Sequence, residues 1–165
     1  MALLRLKPLP LTAERFAPYG DVIAAPAAHG ASMNAARFDR YTNLARVDAD
    51  TDAGISIVRS RTPTELPHRF DLVERHPLGS QAFIPLGGFP FIVVVGPPGE
   101  SIDPADLRAF VTNGSQGVNY HRGTWHMPLI ALADGQQFLV VDRASGDGNC
   151  EERHFEQAIV LERPA

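Results

Sequence analysis

The chain carries six histidines, His29, His68, His76, His121, His126 and His154, and a single cysteine, Cys150. Four of the histidines fall in or beside two polar islands, residues 68–81 and 119–126, each flanked by apolar segments. Polar groups set among buried strands need partners or a chemical role. In the first island, Glu74 and His76 project to one face if the segment is a strand, because side chains alternate with period two. Gln81 follows after a turn built on Pro77 and Gly79. A carboxylate, an imidazole and an amide oxygen on one face can ligate a divalent ion. That donor set suits manganese, iron, nickel or zinc better than a metal that demands thiolates. The competing reading is a surface Glu–His pair at a strand end.

The second island runs Asn119-Tyr120-His121-Arg122-Gly123-Thr124-Trp125-His126. Simple alternation cannot place His121 and His126 on one strand face, but Gly123 permits a turn between them. Here the alternative is a pair of structural histidines beside a buried Trp125. Other chemistries lack their residues. There is no helical H-E-x-x-H zinc motif and no G-x-S-x-G nucleophile elbow. Lys7, near the N-terminus, is the one lysine, so Schiff-base chemistry has no candidate within the body of the chain. An anion clamp must therefore be an arginine, whose planar fork matches a carboxylate. Cys150 lies in the loop Ser145-Gly146-Asp147-Gly148-Asn149-Cys150 and reads as a bystander.

The elements that would position these groups are short. Glycine and proline, 14 of each, punctuate the chain and leave little room for helices. Thr12 can cap a short helix that stops near Pro18 and Gly20, and Asp103-Pro104 can open about one helical turn. β-rich runs span 55–59, 81–86, 91–95, 107–112, 127–132, 138–142 and 155–160, separated by turn residues such as Gly87-Gly88, Asn113-Gly114 and Asp134-Gly135. This spacing predicts one all-β domain over residues 1–165, an antiparallel sandwich or barrel rather than a parallel βαβ sheet. Residues 24–36 read as a surface loop.

Composition narrows the partners. The 15 basic and 19 acidic residues give a net charge of −4, with no electropositive footprint for nucleic acid. The most apolar run, 89–95, is strand length and broken by Pro90, far short of the roughly 20 residues of a membrane span. One cysteine excludes an internal disulfide framework and fits a reducing compartment, so a cytoplasmic location is expected.

The two islands together resemble the paired motifs of the cupin superfamily. Glu74-x-His76, four residues, Gln81, six residues and Gly88 fill the frame of the first motif, with Glu in place of its first His and Gln in place of its Glu. His121-Arg122-Gly123-Thr124-Trp125-His126 fills the second, with His121 where that motif has proline. A closer resemblance spans nearly the whole chain. Residues 18–23, 74–86 (Glu-Arg-His-Pro-Leu-Gly-Ser-Gln-Ala-Phe-Ile-Pro-Leu), 109–114, 117–126 and 138–143 are similar to the ureidoglycolate lyase family. That resemblance implies a cupin-like antiparallel β-barrel with one or two short helices. It implies cleavage of a small-molecule substrate, (S)-ureidoglycolate, to glyoxylate and urea in allantoin breakdown, a divalent metal with nickel suggested, and a homodimer. On this reading Glu74, His76, Gln81 and His126 hold the metal, and His121 transfers the proton, with Tyr120 a second candidate. Arg59, which matches a family position, or Arg40 clamps the substrate carboxylate. Two other outcomes stay open, a non-catalytic ligand-binding cupin and an amidohydrolase that releases ammonia.

Overall fold

The computed structural model describes residues 3–165. In chain order the elements are β1 (Arg5–Leu6), β2 (Leu9–Pro10), α1 (Ala13–Phe16), β3 (Gly20–Ile23), β4 (Ala31–Met33), β5 (Phe38–Arg40), β6 (Ala53–Arg59), β7 (His68–Arg75) and β8 (Gln81–Leu86). There follow β9 (Phe91–Gly96), a 3₁₀ turn (Pro104–Asp106), β10 (Arg108–Val111), β11 (Gly117–Tyr120), β12 (Trp125–His126), β13 (Ile130–Ala131), β14 (Gln137–Arg143) and β15 (Glu151–Leu161). An eight-stranded sheet runs β1-β15-β7-β12-β9-β10-β2, with β13 also paired to β9, and a five-stranded sheet runs β3-β11-β8-β14-β6. All pairings are antiparallel except two short ones at the ends of the larger sheet, β1 with β15 and β2 with β10. Two such sheets closing over a shared interior give the cupin-like barrel expected of the sequence.

Alternation along the strands explains the interior. Phe83 on β8, Val118 and Tyr120 on β11, and Phe138 and Val140 on β14 point inward. They meet Phe91, Val93 and Val95 of β9, every one of them nearly or fully buried. The alternate residues of β9, Ile92 and Val94, point to the other face of the larger sheet. There they pack with Val73, Trp125, Leu107 and Leu161 in a second core. β9 is thus buried on both faces, which is why it reads as a continuous apolar run.

Helix α1 is capped by Thr12, whose hydroxyl accepts from the Arg15 amide, and Asp103 caps the 3₁₀ turn in the same manner. Two expectations need correction. Residues 127–132 do not form one strand: Pro128 divides the segment, leaving β12 and β13 as separate short pairings to β9. Residues 24–36 are not only loop, since β4 and β5 form a hairpin whose turn places Asn34, Ala35 and Ala36 at φ of 53°, 57° and 61°. No helix among the described residues is long and apolar enough to cross a membrane.

Candidate metal centre

The site is built by register. Glu74 of β7 lies directly opposite His126 of β12, which in turn opposes Val95 of β9, so His126 shares the inward face with that core valine. On the facing sheet Gln81 of β8 lies beside Tyr120 of β11 and Asp142 of β14. His76, one residue past the end of β7, returns to the face of Glu74 as alternation requires. The turn between His121 and His126 passes through Gly123 at φ 76°, a left-handed conformation that suits glycine, and the Gly123 amide donates to the His76 carbonyl. Both islands therefore converge at one end of the barrel interior.

The ligand atoms of Glu74, His76 and His126 lie within 4.8 Å of one another. Glu74 Oε1 is 3.5 Å from His126 Nε2 and 3.9 Å from His76 Nε2, and Gln81 Oε1 is 3.2 Å from His76 Nε2. The hydrogens on these groups follow from their other partners. His126 Nδ1 meets the Thr124 carbonyl at 2.9 Å and His76 Nδ1 meets the Asn149 carbonyl at 2.5 Å. A carbonyl only accepts, so each Nδ1 carries its hydrogen, and the neutral form of such a ring has its lone pair at Nε2, the nitrogen that faces the others. Gln81 Nε2 donates to Asp142 Oδ2 at 3.0 Å, which leaves the amide oxygen facing His76. Two imidazole lone pairs, a carboxylate oxygen and an amide oxygen thus converge with no hydrogen between them. His126 is 2% exposed and its Nε2 has no hydrogen-bond partner.

Such a set of donors is matched by a cation placed among it. Ligands at about 2.0–2.2 Å from an ion stand roughly 3–3.5 Å from their neighbours, close to the separations observed here. The residues fit a divalent ion of borderline character held by two nitrogens and two oxygens. Backbone carbonyls behind both imidazoles are the usual means of orienting histidine ligands.

The surroundings bias the protonation states in the same direction. Burial, reinforced by the neighbouring His126, holds His76 below the ordinary imidazole value, so it stays neutral. His76 therefore takes up a proton less readily in the folded chain than in the unfolded one. Acidification removes that stability from the ion-free protein below the ordinary histidine value of 6.5. Melting curves taken at falling pH are expected to show this step, and His76→Asn is expected to lose it.

Tyr120 packs flat on His126, ring centroids 4.3 Å apart at 18°, and its other contacts are Phe16 and Phe83. Complete burial pushes its phenol above its ordinary value, so it keeps its proton and serves as a wall for the histidine. His121 does not join the cluster. The Tyr120 ring faces inward, and the His121 imidazole turns instead to Asp21 on β3, with Nε2 3.1 Å from Oδ1. It borders a separate cavity of about 210 Å³ with Arg46, Asp48, Ser80 and Arg122. Arg59 is also remote. Its row in the smaller sheet is Arg59-Gln137-Leu86, five residues along β8 from the row of Gln81 and Asp142. At about 3.3 Å per residue that separation is about 17 Å. Arg40 lies on the exposed hairpin strand β5. The carboxylate-clamp expectation therefore finds neither arginine at the cluster within one subunit. His121→Asn is expected to leave ion uptake at the parent level and to change kcat less than tenfold, whereas a positioned acid or base is worth about 10²–10⁴.

Three contributors escaped the sequence reading. Asp142 orients Gln81, and Asn149 bonds His76 through its carbonyl and Leu78 through its side chain at 2.8 Å. Cys150, next in sequence and exposed, places Sγ 3.7 Å from Glu74 Oε2, and partial desolvation together with the Glu74 charge pushes its thiol up to about 11. All three lie at or beyond the end of β14, some seventy residues from the first motif, with no local pattern to mark them.

Two sheets enclosing an inward cluster of histidine and carboxylate donors that could hold a metal ion define a cupin-type barrel. The ureidoglycolate lyase family profile matches residues 3–162, and the chain belongs to that family. A ureidoglycolate lyase of Pseudomonas aeruginosa is 49% identical over 152 residues, covering 91% of this chain and 90% of that protein. Proteins of the same name from Pseudomonas syringae pv. tomato and Azotobacter vinelandii are 47% and 42% identical. They cover 93% and 99% of this chain, and 92% and 100% of their own lengths.

Proposed function

We propose that this protein cleaves ureidoglycolate to glyoxylate and urea at the Glu74–His76–Gln81–His126 cluster, with a divalent ion, nickel among the candidates, held by those four side chains. The observation that carries the reading is the convergence of lone pairs around the unpartnered His126 Nε2. The family named ureidoglycolate lyase supplies the substrate. An ion held there supplies electrophilic assistance to an oxygen-rich substrate.

The substrate carries a hydroxyl, a carboxylate and a ureido nitrogen on one carbon. As the C–N bond breaks and the carbonyl forms, one proton leaves the hydroxyl and one reaches the departing nitrogen. No water is consumed, which makes the reaction a lyase reaction. The chain's part is placement. The Thr124 and Asn149 carbonyls fix the two imidazoles, Asp142 fixes the amide, and Tyr120 with the aromatic interior behind it keeps one side of the site dry. Cys150 holds its proton at neutral pH at the edge of the cluster.

Product analysis tests the proposal. Equal amounts of urea and glyoxylate from ureidoglycolate support it. Release of ammonia assigns an amidohydrolase instead, and no turnover in ion-loaded protein leaves a ligand-binding cupin.

We also infer that the working unit is a homodimer, in a compartment where Cys150 stays reduced. The β4–β5 hairpin is exposed along its whole length, with Phe38 56% and Met33 38% accessible. A lone two-stranded hairpin is marginal in water, and its turn holds Ala35 and Ala36 in a conformation that costs roughly 1–2 kcal/mol per residue. β6 is an open edge strand whose outward Ile55 and Ile57 are 74% and 54% exposed. The segment after the hairpin crosses that same outer face, where the Arg46 carbonyl accepts from Asn119. Every copy thus carries an apolar finger and an apolar sheet on one side, which a two-fold axis brings together in a closed pair.

A further inference from the structure

The Gln81 amide faces a choice that the rest of the cluster does not. It stands between the His76 Nε2 lone pair and the Asp142 carboxylate, at 3.2 and 3.0 Å. Turned one way, its NH₂ donates to Asp142 and its oxygen confronts His76. Turned the other way, its NH₂ would satisfy His76 and its oxygen would confront Asp142. A neutral imidazole accepts a hydrogen bond and an ionised carboxylate accepts a stronger one, so the carboxylate wins the donor.

We propose that Asp142 is a positioning residue that keeps the cluster open to a cation, by holding the Gln81 amide so that its oxygen and not its nitrogen enters the site. The inference rests on the metal-site reading given above and adds a residue to it. Without Asp142 the chain can close the site on itself: Gln81 turns over, its NH₂ bonds His76, and the lone pair that an ion would use is consumed. With Asp142 present that self-satisfied state places an amide oxygen against a carboxylate, and it does not form. The strand register makes the arrangement durable, because Asp142 and Gln81 are direct neighbours on the inward faces of β14 and β8. Their backbones are pinned by the longest stretches of ladder in the smaller sheet. Asp142 also leaves the oxygen donor neutral while setting a negative charge behind it, which polarises the amide toward the ion.

This role has a signature that a merely structural hydrogen bond lacks: ion affinity and ion-free stability move in opposite directions. In Asp142→Asn the new amide can donate to a turned-over Gln81. The variant is expected to bind nickel(II) or manganese(II) about 10- to 100-fold more weakly in calorimetric titration of metal-stripped protein, the usual effect of a lost orienting partner. Its ion-free form is expected to melt at or above the parent temperature. Adding Gln81→Glu to Asp142→Asn puts an oxygen-only side chain back in the site and gives the introduced amide a carboxylate to donate to, so the double variant is expected to recover affinity. Gln81→Glu alone sets two carboxylates together and is expected to melt lower than the parent. Should Asp142→Asn fail to fold, Asp142→Ser serves in the same titration. Parent-like affinity in the Asp142 single variant, or a double variant weaker than either single one, overturns the proposal while leaving the metal site standing. A parent protein that takes up neither ion overturns the metal site and the proposal together.

Discussion

Glu74→Gln is expected to abolish ion uptake and turnover while leaving the ion-free protein as stable as the parent or more so. The opposition of signs comes from one atom. In the parent, Glu74 Oε1 faces the unpartnered His126 Nε2 at 3.5 Å, a carboxylate against a lone pair. A glutamine of the same shape can turn its NH₂ to that nitrogen and make the missing hydrogen bond, worth about 0.5–1.5 kcal/mol. The same bond fills the coordination position, and the only formal negative charge among the four donors is gone. Electrophilic assistance by an ion is worth several kcal/mol, so turnover is expected to fall about a thousandfold or more. Elemental analysis, thermal melting and a glyoxylate assay on one preparation read all three quantities. Bound ion and activity within tenfold of the parent would remove Glu74 from the centre. His126→Ala makes a poorer probe, because it also strips the face on which Tyr120 stacks and leaves a cavity in a fully packed interior.

How far the sequence foretold this site depends on how local each signal is. Glu74 and His76 were legible because both lie on or next to one strand and period-two alternation is a short-range rule. Gln81 and His126 became legible through motif spacing, which encodes the turns at Gly79 and Gly123 that bring them back. The runs 81–86 and 91–95 announced themselves as apolar stretches between glycines and prolines, and the strands there are Gln81–Leu86 and Phe91–Gly96. His121 was singled out because its type and position suit proton transfer, and the structure turns it to Asp21, away from the cluster. The side on which a residue at a strand end falls is fixed by the strand's pairing, and β11 pairs with β3 from the far N-terminal part of the chain. The place of Arg59 was hidden for a similar reason, since only the β6–β14–β8 register shows it to be several residues from the row of Gln81 within one subunit. Asp142 and Asn149 gave no local signal at all. Their roles exist through contacts to residues 61 and 71 or more positions away, which a linear reading cannot supply. The hairpin at 31–40 was hidden by its alanines, which favour neither strand nor core.

Ile57→Asp is expected to convert the protein from dimer to folded monomer. Ile57 lies on the outward face of β6, aligned with Leu139 and Ile84 on the neighbouring strands, and 54% of it is exposed in one subunit. The barrel interior therefore does not depend on it, and the variant should melt close to the parent monomer. In the proposed pair that face would meet the β4–β5 hairpin of the second copy, whose largest apolar group is Phe38, 56% exposed in one subunit. The hairpin, the open face of β6 and the Leu86–Phe89 corner offer about twenty residues, near what a standard interface takes from each side. A carboxylate buried there has aliphatic neighbours on β14 and β8, and the nearest cation on that face of β6 is Arg59, two residues along the strand. The loss at a central apolar position is about 2 kcal/mol or more, and the two-fold axis counts it twice, so the dissociation constant should rise about a thousandfold. Light scattering across a dilution series measures it. A cross-link adds the geometry: in a Cys150→Ser background, a chain carrying Phe38→Cys mixed with one carrying Ile57→Cys should form a disulfide between chains. A parent that is monomeric at all concentrations, or an Ile57→Asp protein as dimeric as the parent, removes the second copy from this face. A disulfide formed only within a chain bearing both cysteines would show instead that the hairpin folds back onto its own sheet.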